Sequence, residues 1–169
     1  MIENHVGHTA TRKGGGGMGI GDDAVEVRAS GWRTLAALHG LIEAALEREL
    51  QAGHDLSVVE FTVLDALSRQ DGWHMRMAQL ARAAALSSSA ATRLVNRLED
   101  RRLLRRILCE DDRRGIYTEL TPAGLTLLDR ARPTHARALE SALREAEQVP
   151  ELAPLVAALS RLPAPVTAG

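Results

Sequence analysis

The chain of 169 residues has little of what several large classes of protein require. Its single cysteine, Cys109, excludes an intramolecular disulfide and is typical of a reducing compartment. No run approaches the roughly 18 consecutive apolar residues of a membrane span, and no secretory signal precedes the first predicted helix. These absences predict a cytoplasmic protein without a membrane partner.

The sequence also lacks the motifs of common catalytic and metal-binding sites. The four glycines at positions 14–17 have neither the preceding strand nor the Lys-Ser/Thr pair of a phosphate-binding loop. No nucleophile is paired with a base, and the six histidines show neither His-x3-His spacing nor a nearby cysteine pair. We therefore expect no enzyme, no bound metal and no cofactor.

Lysine is nearly absent, since Lys13 is the only one, and arginine therefore carries almost all of the positive charge. The overall net charge of −1 hides an asymmetry. From Arg76 to Arg114 there are ten arginines and five acidic residues, a net charge of +5, whereas the remainder carries 11 basic and 17 acidic residues, a net charge of −6. A basic surface on an acidic body is typical of a nucleic-acid-binding protein.

Within this basic stretch, the residues from Ser88 onward predict a helix with an unusual polar face. Apolar residues recur at helical spacing along its buried side, namely Ala90, Ala91, Leu94, Val95 and Leu98. The opposite side carries small hydroxyls, an amide and an arginine, namely Ser89, Thr92, Arg93 and Asn96. Such side chains can enter a major groove and bond to base edges, so the helix is predicted to recognise DNA.

Two short apolar segments follow this helix and predict a β-hairpin. They are residues 103–108 and 116–120, and the turn between them, residues 110–115, is acidic and ends in Arg113, Arg114 and Gly115. A helix followed by a hairpin with a basic tip is the outline of a winged helix. Its helix would enter the major groove, and its tip would reach a phosphate or the minor groove.

The flanking segments predict further helices. A long helix is expected over about residues 23–51, and Ser57 with Glu60 forms a capping box that opens a second helix. A short strand over 73–76 and a compact helix over 77–84 precede the recognition helix. After the hairpin, Thr121 and Pro122 start a helix that Pro133 should kink or divide, and Pro150 starts a last one.

These elements predict a mainly α fold with a small β-hairpin wing (α+β), in one domain over residues 22–162. A winged helix-turn-helix lobe would occupy about residues 56–120, after a flexible leader over 1–21 and before a frayed tail over 163–169. The terminal helices, about 23–51 and 122–162, have apolar stripes without a partner in the lobe. We expect them to form a dimerisation layer with a second copy, whose two-fold symmetry would suit a palindromic DNA site.

Several short motifs, in this order, resemble those of the MarR family of bacterial transcriptional regulators. They are Leu56-Ser57, residues 77–81 (MAQLA), 86–89 (LSSS), 92–99 (TRLVNRLE), 112–115 (DRRG) and 120–124 (LTPAG). The resemblance covers about residues 30–160 and implies a dimeric winged helix that binds a palindromic promoter element. It also implies release by small, often phenolic or anionic ligands or by oxidants. Arg102 departs from the family pattern, which has a glycine suited to a left-handed helix cap.

The resemblance also implies roles for individual residues. Asp112 would orient Arg114 at the wing tip, where Arg114 enters the minor groove beside Arg113. The first half of the recognition helix would supply base contacts from Ser88, Ser89, Thr92 and Arg93. Asn96 and Arg97 would contact either bases or phosphates.

An effector pocket is expected between the dimerisation helices and the DNA-binding lobe. Its candidate residues could supply aromatic walls and cations for an anionic ligand, and they are Trp32, His39, Trp73, Arg76 and His135. For each of them, ordinary packing or surface exposure is the alternative, and Arg76 could instead contact DNA.

The sequence therefore predicts a homodimeric, ligand-responsive regulator that binds a specific DNA site, more as a repressor than as an activator. One alternative is a winged-helix protein-interaction module without specific DNA binding. Another is a redox-sensing regulator that uses Cys109, because a low thiol pKa needs nearby cations such as Arg105, Arg106 and Arg113.

Overall fold

The structure is a computed structural model that describes residues 20–108 and 116–162. The helices and strands of this part are, in chain order, α1 (Ile20–His54), α2 (Val58–Ser68), β1 (His74–Arg76), α3 (Met77–Ala83), α4 (Ser88–Asp100), β2 (Leu104–Leu108), β3 (Ile116–Leu120), α5 (Pro122–Glu147) and α6 (Ala153–Leu159). The predicted fold class, mainly helical with a small antiparallel sheet, is confirmed. None of the helices in these two ranges is long and apolar enough to cross a membrane.

The predicted helix starts are confirmed by their caps. The Ser57 side chain accepts a hydrogen bond from the Glu60 backbone N–H, and the Glu60 carboxylate accepts one from the Ser57 N–H in return. At the start of α4 the Ser87 hydroxyl accepts from the N–H of Ala90. Thr121 caps α5 in the same way, with Pro122 in the first turn. Local sequence therefore fixes where three of the helices begin.

The three strands form one antiparallel sheet in the order β1-β3-β2. Strand β3 is central, with Glu119 opposite both His74 of β1 and Arg105 of β2. The predicted third strand is thus present, but it starts one residue later than expected. Trp73 instead ends a single 3-10 turn with a positive φ of 57°.

The core has two parts. The larger cluster lies in the DNA-binding lobe, the end of α1 and the first half of α5, and its fully buried leucines are Leu50, Leu56, Leu64, Leu67, Leu80, Leu94, Leu98, Leu104, Leu120 and Leu128. The smaller cluster joins α1, α5 and α6 and is built on Leu38, Ala146, Leu152 and Val156. The lobe therefore closes its core within one chain, while the outer helices share a much thinner one.

The recognition helix α4 ends in a left-handed residue. Arg102 has a φ of 59°, and its N–H bonds to the carbonyl of Glu99 while the N–H of Leu103 bonds to that of Leu98, at 2.8 and 2.9 Å. These two hydrogen bonds form a Schellman motif, in which glycine is the usual left-handed residue. Arg102 therefore takes the conformation expected of the family's glycine, with the modest strain that a Cβ adds there.

The start of α5 packs directly on this cap. The Thr121 hydroxyl reaches the carbonyls of Arg102 and Leu103, at 2.8 and 3.0 Å. A Cβ added to Gly124 would lie 2.2 Å from the Leu103 carbonyl oxygen. Only glycine at position 124 allows so close an approach, so the Thr-Pro-Ala-Gly motif fixes α5 against the end of the recognition helix.

Three expectations about the long helices were wrong in detail. Helix α1 begins at Ile20 and ends at His54, so it takes in residues assigned to the leader. Of the kink or division expected at Pro133, the division does not occur in α5. Pro133 is exposed, and the Asp129 carbonyl that loses its partner can bond to water. Helix α6 begins at Ala153 and not at Pro150. The expected leader before Ile20 and the tail over 163–169 lie outside the described residues.

Candidate nucleic-acid interface

The polar face of α4 is exposed as a unit. Its buried side consists of Ala91, Leu94, Val95 and Leu98, which pack into the core of the lobe. The six residues of α4 that were proposed from the sequence to contact DNA all lie on its exposed side, namely Ser88, Ser89, Thr92, Arg93, Asn96 and Arg97. The helix therefore presents a continuous polar surface that can enter a groove, held from behind by apolar packing.

The arginines around this surface differ in whether the chain already pairs them. Arg105 is paired with Glu119 on the neighbouring strand, and this hydrogen bond, reinforced by the carboxylate charge, raises the pKa of Arg105 above its ordinary value. Arg106 is paired with Glu99. Arg93 has no hydrogen bond or ion pair with any residue in the described ranges, so its guanidinium is available for a phosphate or a base edge.

Glu60 anchors the second half of the recognition helix. Only 7% exposed, its carboxylate lies 3.7 Å from Arg97 Nε and 3.4 Å from Arg101 Nη1, and it also closes the capping box of α2. Arg101 in turn donates to the carbonyl of Asp55 at 2.6 Å. This network fixes α4 to the junction between α1 and α2, and sequence analysis had found in Glu60 only a helix cap.

Intrahelical hydrogen bonds decide what the hydroxyls can offer. The Thr92 hydroxyl donates to the Ser88 carbonyl at 2.9 Å, so it presents lone pairs and a methyl group to the outside. The Ser89 hydroxyl lies 3.2 Å from that of Ser87, the helix cap. Thr92 is thus prepared to accept a hydrogen bond from a base edge or to contact a thymine methyl group.

A bridge joins α4 to the sheet through Arg106. Its guanidinium donates to the Oδ1 of Asn96 and to the Oε2 of Glu99, and its backbone N–H donates to Glu99 Oε1 at 3.2 Å. Strand β2 is therefore tied to the exposed face of the recognition helix. No sequence pattern signals this bridge, because Arg106 and Asn96 lie on different elements.

The wing tip lies outside the described residues. Asp112, Arg113 and Arg114, proposed to act there, and Cys109, the basis of the redox alternative, all lie between the described ends of β2 and β3. Their proposed roles remain predictions.

The five effector-pocket candidates do not share one location. Trp32 and His39 line an open, largely apolar cavity of about 390 Å³ whose other walls, Leu35 and Ala36, also belong to α1. Trp73 is exposed in the turn before β1, and the Arg76 Nε donates to the Tyr117 hydroxyl at 2.9 Å. The cavity at Trp32 is therefore one face of a single helix, without Trp73 or Arg76 in its walls.

His135 lies elsewhere again, between α2 and α5. Its ring stacks on Phe61 with 4.3 Å between the ring centroids. Burial lowers the pKa of His135 below its ordinary value, an effect partly opposed by the charge of Asp65. This residue is packed as a core aromatic would be, which was the alternative left open for it.

A second cavity, which sequence analysis missed, lies between α1 and α5. It has a volume of about 260 Å³, and its polar walls are Arg48, Glu49, Thr134, Arg137, Ser141 and Glu145. Thr134 also lies 2.9 Å from His54 Nε2, while the buried His54 Nδ1 has no partner within the described part of the chain. The one available signal was the alanines Ala45, Ala138 and Ala142 on the facing helices, which also line the cavity.

Comparisons with known proteins match this architecture. A family model described as MarR family matches residues 54–115. PecS, an HTH-type transcriptional regulator of Dickeya dadantii (strain 3937), is 32% identical over 103 residues, which cover 60% of this chain and 61% of PecS.

Two solved structures from Streptomyces coelicolor, both of MarR family transcriptional regulators, are similar over most of the chain. AbsC is 30% identical with a TM-score of 0.65, and the match covers 84% of this chain and 91% of AbsC. Sco3205, solved in complex with DNA, is 28% identical with a TM-score of 0.65, and the match covers 85% of this chain and 89% of Sco3205.

Proposed function

The chain belongs to the MarR family of winged-helix transcriptional regulators, and we propose on that basis that it is a homodimeric repressor of a specific promoter. The family consists of transcriptional regulators and not of enzymes. The dimer would bind a palindromic site through two α4 helices, and a small ligand would release it.

The observation that carries this proposal is the exposed face of α4. Arg93 stands there without a partner among the described residues, beside the acceptor of Thr92, while Glu60 and the apolar core hold the helix from behind. A rigid helix that presents an unpaired guanidinium is suited to bind an anionic groove.

The partner that we propose for the outer helices is a second copy of the chain. Trp32 and Leu162 are 68% and 66% exposed, and Leu35 and Leu159 are also exposed beside them. Leu35, Leu159 and Leu162 line one apolar groove between α1 and α6. An apolar patch of this kind favours a symmetric interface, and two-fold symmetry would present two recognition helices to a palindrome.

The ligand that we propose is a small anion in the cavity between α1 and α5. Arg137 can pair with a carboxylate or phenolate there, beside Arg48, which lies 3.2 Å from Glu49. Hydrogen bonds link the cavity to the DNA-binding face. Thr134 lines the cavity and contacts His54, and the next residue, Asp55, holds Arg101 of α4 by its carbonyl. A ligand that moves Thr134 would therefore shift the recognition helix.

The central test is a gel-shift titration on the DNA upstream of the protein's own gene, against a scrambled duplex at the same salt. We expect saturable binding to the native fragment alone. Arg93→Ala and Arg114→Ala should each weaken it by about 1–3 kcal/mol without unfolding the protein. Arg130→Ala, which removes an exposed arginine of α5 outside the lobe, should retain wild-type affinity.

Equal, salt-sensitive binding to both duplexes would contradict the proposed function and favour the protein-interaction module. Wild-type operator affinity in folded Arg93→Ala and Arg114→Ala would refute the site assignment alone. The redox alternative predicts that an oxidant releases the wild-type protein from DNA but not Cys109→Ser.

The ligand proposal is tested with the same operator complex. A panel of small aromatic carboxylates should contain members that release the protein, and Arg137→Ala should bind the operator normally but lose the response. Arg144→Ala is the matched control, since Arg144 lies on the same helix and pairs with Glu140 outside the cavity. An unchanged response in Arg137→Ala would exclude this cavity.

A further inference from the structure

We infer that Arg106 fixes the orientation of the Asn96 amide and thereby sets how strictly the protein distinguishes adenine from guanine at one base pair of its DNA site. Arg106 would act as a positioning residue that need not contact DNA itself. This inference rests on the proposed function, because it concerns which base the face of α4 recognises.

The geometry places Asn96 at the centre of the candidate interface. It is exposed on α4, three residues after Arg93 and four after Thr92, so the three side chains are neighbours on one face. Behind it, the Arg106 guanidinium on β2 bridges Asn96 Oδ1 and the Glu99 carboxylate. Arg106 and Glu99 are both about two-thirds buried, with 33% and 34% of their side chains exposed.

The chemistry of arginine decides which end of the amide faces it. A guanidinium carries only N–H donors, so the Asn96 atom beside Arg106 has to be the carbonyl oxygen. A flipped amide would set an NH₂ group against a cationic donor and deprive Arg106 Nη2 of the acceptor that Asn96 supplies. Glu99 holds Arg106 in place from the other side, since it accepts from both the side chain and the backbone. The position of the Asn96 NH₂ group is therefore fixed as well.

A fixed amide discriminates between the two purines. Both purines present an N7 acceptor in the major groove, but beside it adenine has an N6 donor and guanine an O6 acceptor. An amide in one orientation matches one of these patterns and opposes the other. An amide free to flip can present either its oxygen or its NH₂ group at that position, so it distinguishes the purines less well. Arg106 thus converts an adaptable contact into a selective one.

The test is a selection from a randomised double-stranded DNA library with the full chain. Asn96→Ala identifies the base pair that Asn96 contacts. At that base pair the wild type should prefer one purine over the other by about fivefold or more, and Arg106→Met should reduce this ratio to about twofold or less. Arg105→Met is the matched control, because it removes the same charge from the adjacent residue of β2 and frees Glu119 instead of Glu99.

Glu99→Gln provides a second variant, which keeps Arg106 but weakens the interaction that holds the Arg106 guanidinium in place. The purine preference at the same base pair should fall to a value between those of the wild type and Arg106→Met. Thermal unfolding checks that each variant is folded. A uniform loss of affinity in Arg106→Met with unchanged purine preference would overturn the inference, as would an Asn96→Ala profile identical to that of the wild type. Failure of the wild type to enrich any sequence would instead refute the proposed function on which the inference depends.

Discussion

The DNA-binding lobe and the outer helices differ in how much of their apolar surface is buried within one chain. In the lobe, Leu64, Leu80 and Leu98 are fully buried by residues of the same chain. On the outer helix α1 and just after α6, the apolar residues Trp32 and Leu162 remain about two-thirds exposed. The first region is complete in one chain, whereas the second has a surface that a partner could cover.

This difference indicates that the two regions contribute different properties to DNA binding. The closed core holds α4 firmly within the lobe, and the exposed patch leaves the spacing of two lobes to be set by an interface. The two regions meet where α1 and α5 pass behind the lobe, at Asp55, Glu60 and Gly124. Matched substitutions in the two regions and at these residues should therefore have different effects on stability and on dimerisation.

The largest effect is expected from matched leucine substitutions in the two regions. Leu64→Ala, in the lobe, should lower the free energy of unfolding by about 2–5 kcal/mol, because it leaves a cavity in a closed core. Leu159→Ala, in α6, should change the unfolding of the dissociated chain by about 0.5 kcal/mol or less. It should instead raise the dimer dissociation constant about fivefold or more.

Denaturant unfolding and sedimentation equilibrium separate these outcomes. Equal losses of folding free energy in the two variants would show that the outer helices are as closed as the lobe. An unchanged sedimentation profile in Leu159→Ala would exclude Leu159 from the interface.

The next effect concerns the joint between α4 and α5. Gly124→Ala should destabilise the fold by about 1–3 kcal/mol, because the new Cβ would meet the Leu103 carbonyl at 2.2 Å and push α5 off the cap. Gly40→Ala is the control, since nothing lies within 4 Å of a Cβ there, and the better helix propensity of alanine should stabilise α1 by about 0.5–1 kcal/mol. Thermal unfolding of both variants measures the contrast, and a neutral Gly124→Ala would argue against a tight joint.

A smaller effect is expected from the ion pairs on the two sides of the lobe. Glu60→Gln preserves the capping box, because glutamine also serves at that position, but removes the charge between Arg97 and Arg101. We expect a loss of about 1–2 kcal/mol from this buried network. Glu119→Gln breaks the pair with the exposed Arg105 and should lower the free energy of unfolding much less, because solvent screens this pair. Similar losses in chemical denaturation would mean that Glu60 does not anchor α4.

The smallest effect is a pH dependence at the contact between α2 and α5. Burial lowers the pKa of His135 in the folded protein, and the opposing charge of Asp65 is itself paired with Arg132 at 3.2 Å. The unfolded chain therefore binds this proton more readily, and the free energy of unfolding should fall as the pH drops through the ordinary histidine value of about 6.5. Between pH 8 and pH 5.5, the free energy of unfolding should fall less in His135→Gln than in the wild type. An equal fall in both proteins would show that His135 is not the group responsible.

Features that depend on residues close together in the chain could be predicted from the sequence, and features that depend on distant residues could not. The caps at Ser57 and Thr121 and the two faces of α4 were predicted correctly, because they depend on residues within one or two helical turns. The left-handed conformation of Arg102 agrees with the glycine that the family pattern places there. Of the kink or division expected at Pro133, the division of α5 was wrong, because exposure of the freed carbonyl is a property of the packed helix.

The site residues divide in the same manner. That Arg93 and Asn96 share an exposed face could be predicted from helical spacing alone. That Arg93 has no partner among the described residues while Asn96 is held by Arg106 could not be predicted, since β2 had first to be placed beside α4. The effector candidates show the limit most clearly, because Trp32, Arg76 and His135 were grouped by chemical type and the fold placed them on different elements.

The elements, their order and the polar face of α4 can be predicted from local sequence, because periodicity and capping act over a few residues. The packed fold is needed to know which charges are already paired, where a cavity lies between α1 and α5, and how closely α5 approaches the cap of α4. Those features depend on atoms far apart in the chain being brought within a few ångströms. Ion pairing, desolvation and steric exclusion all act at that distance and have no counterpart in local sequence.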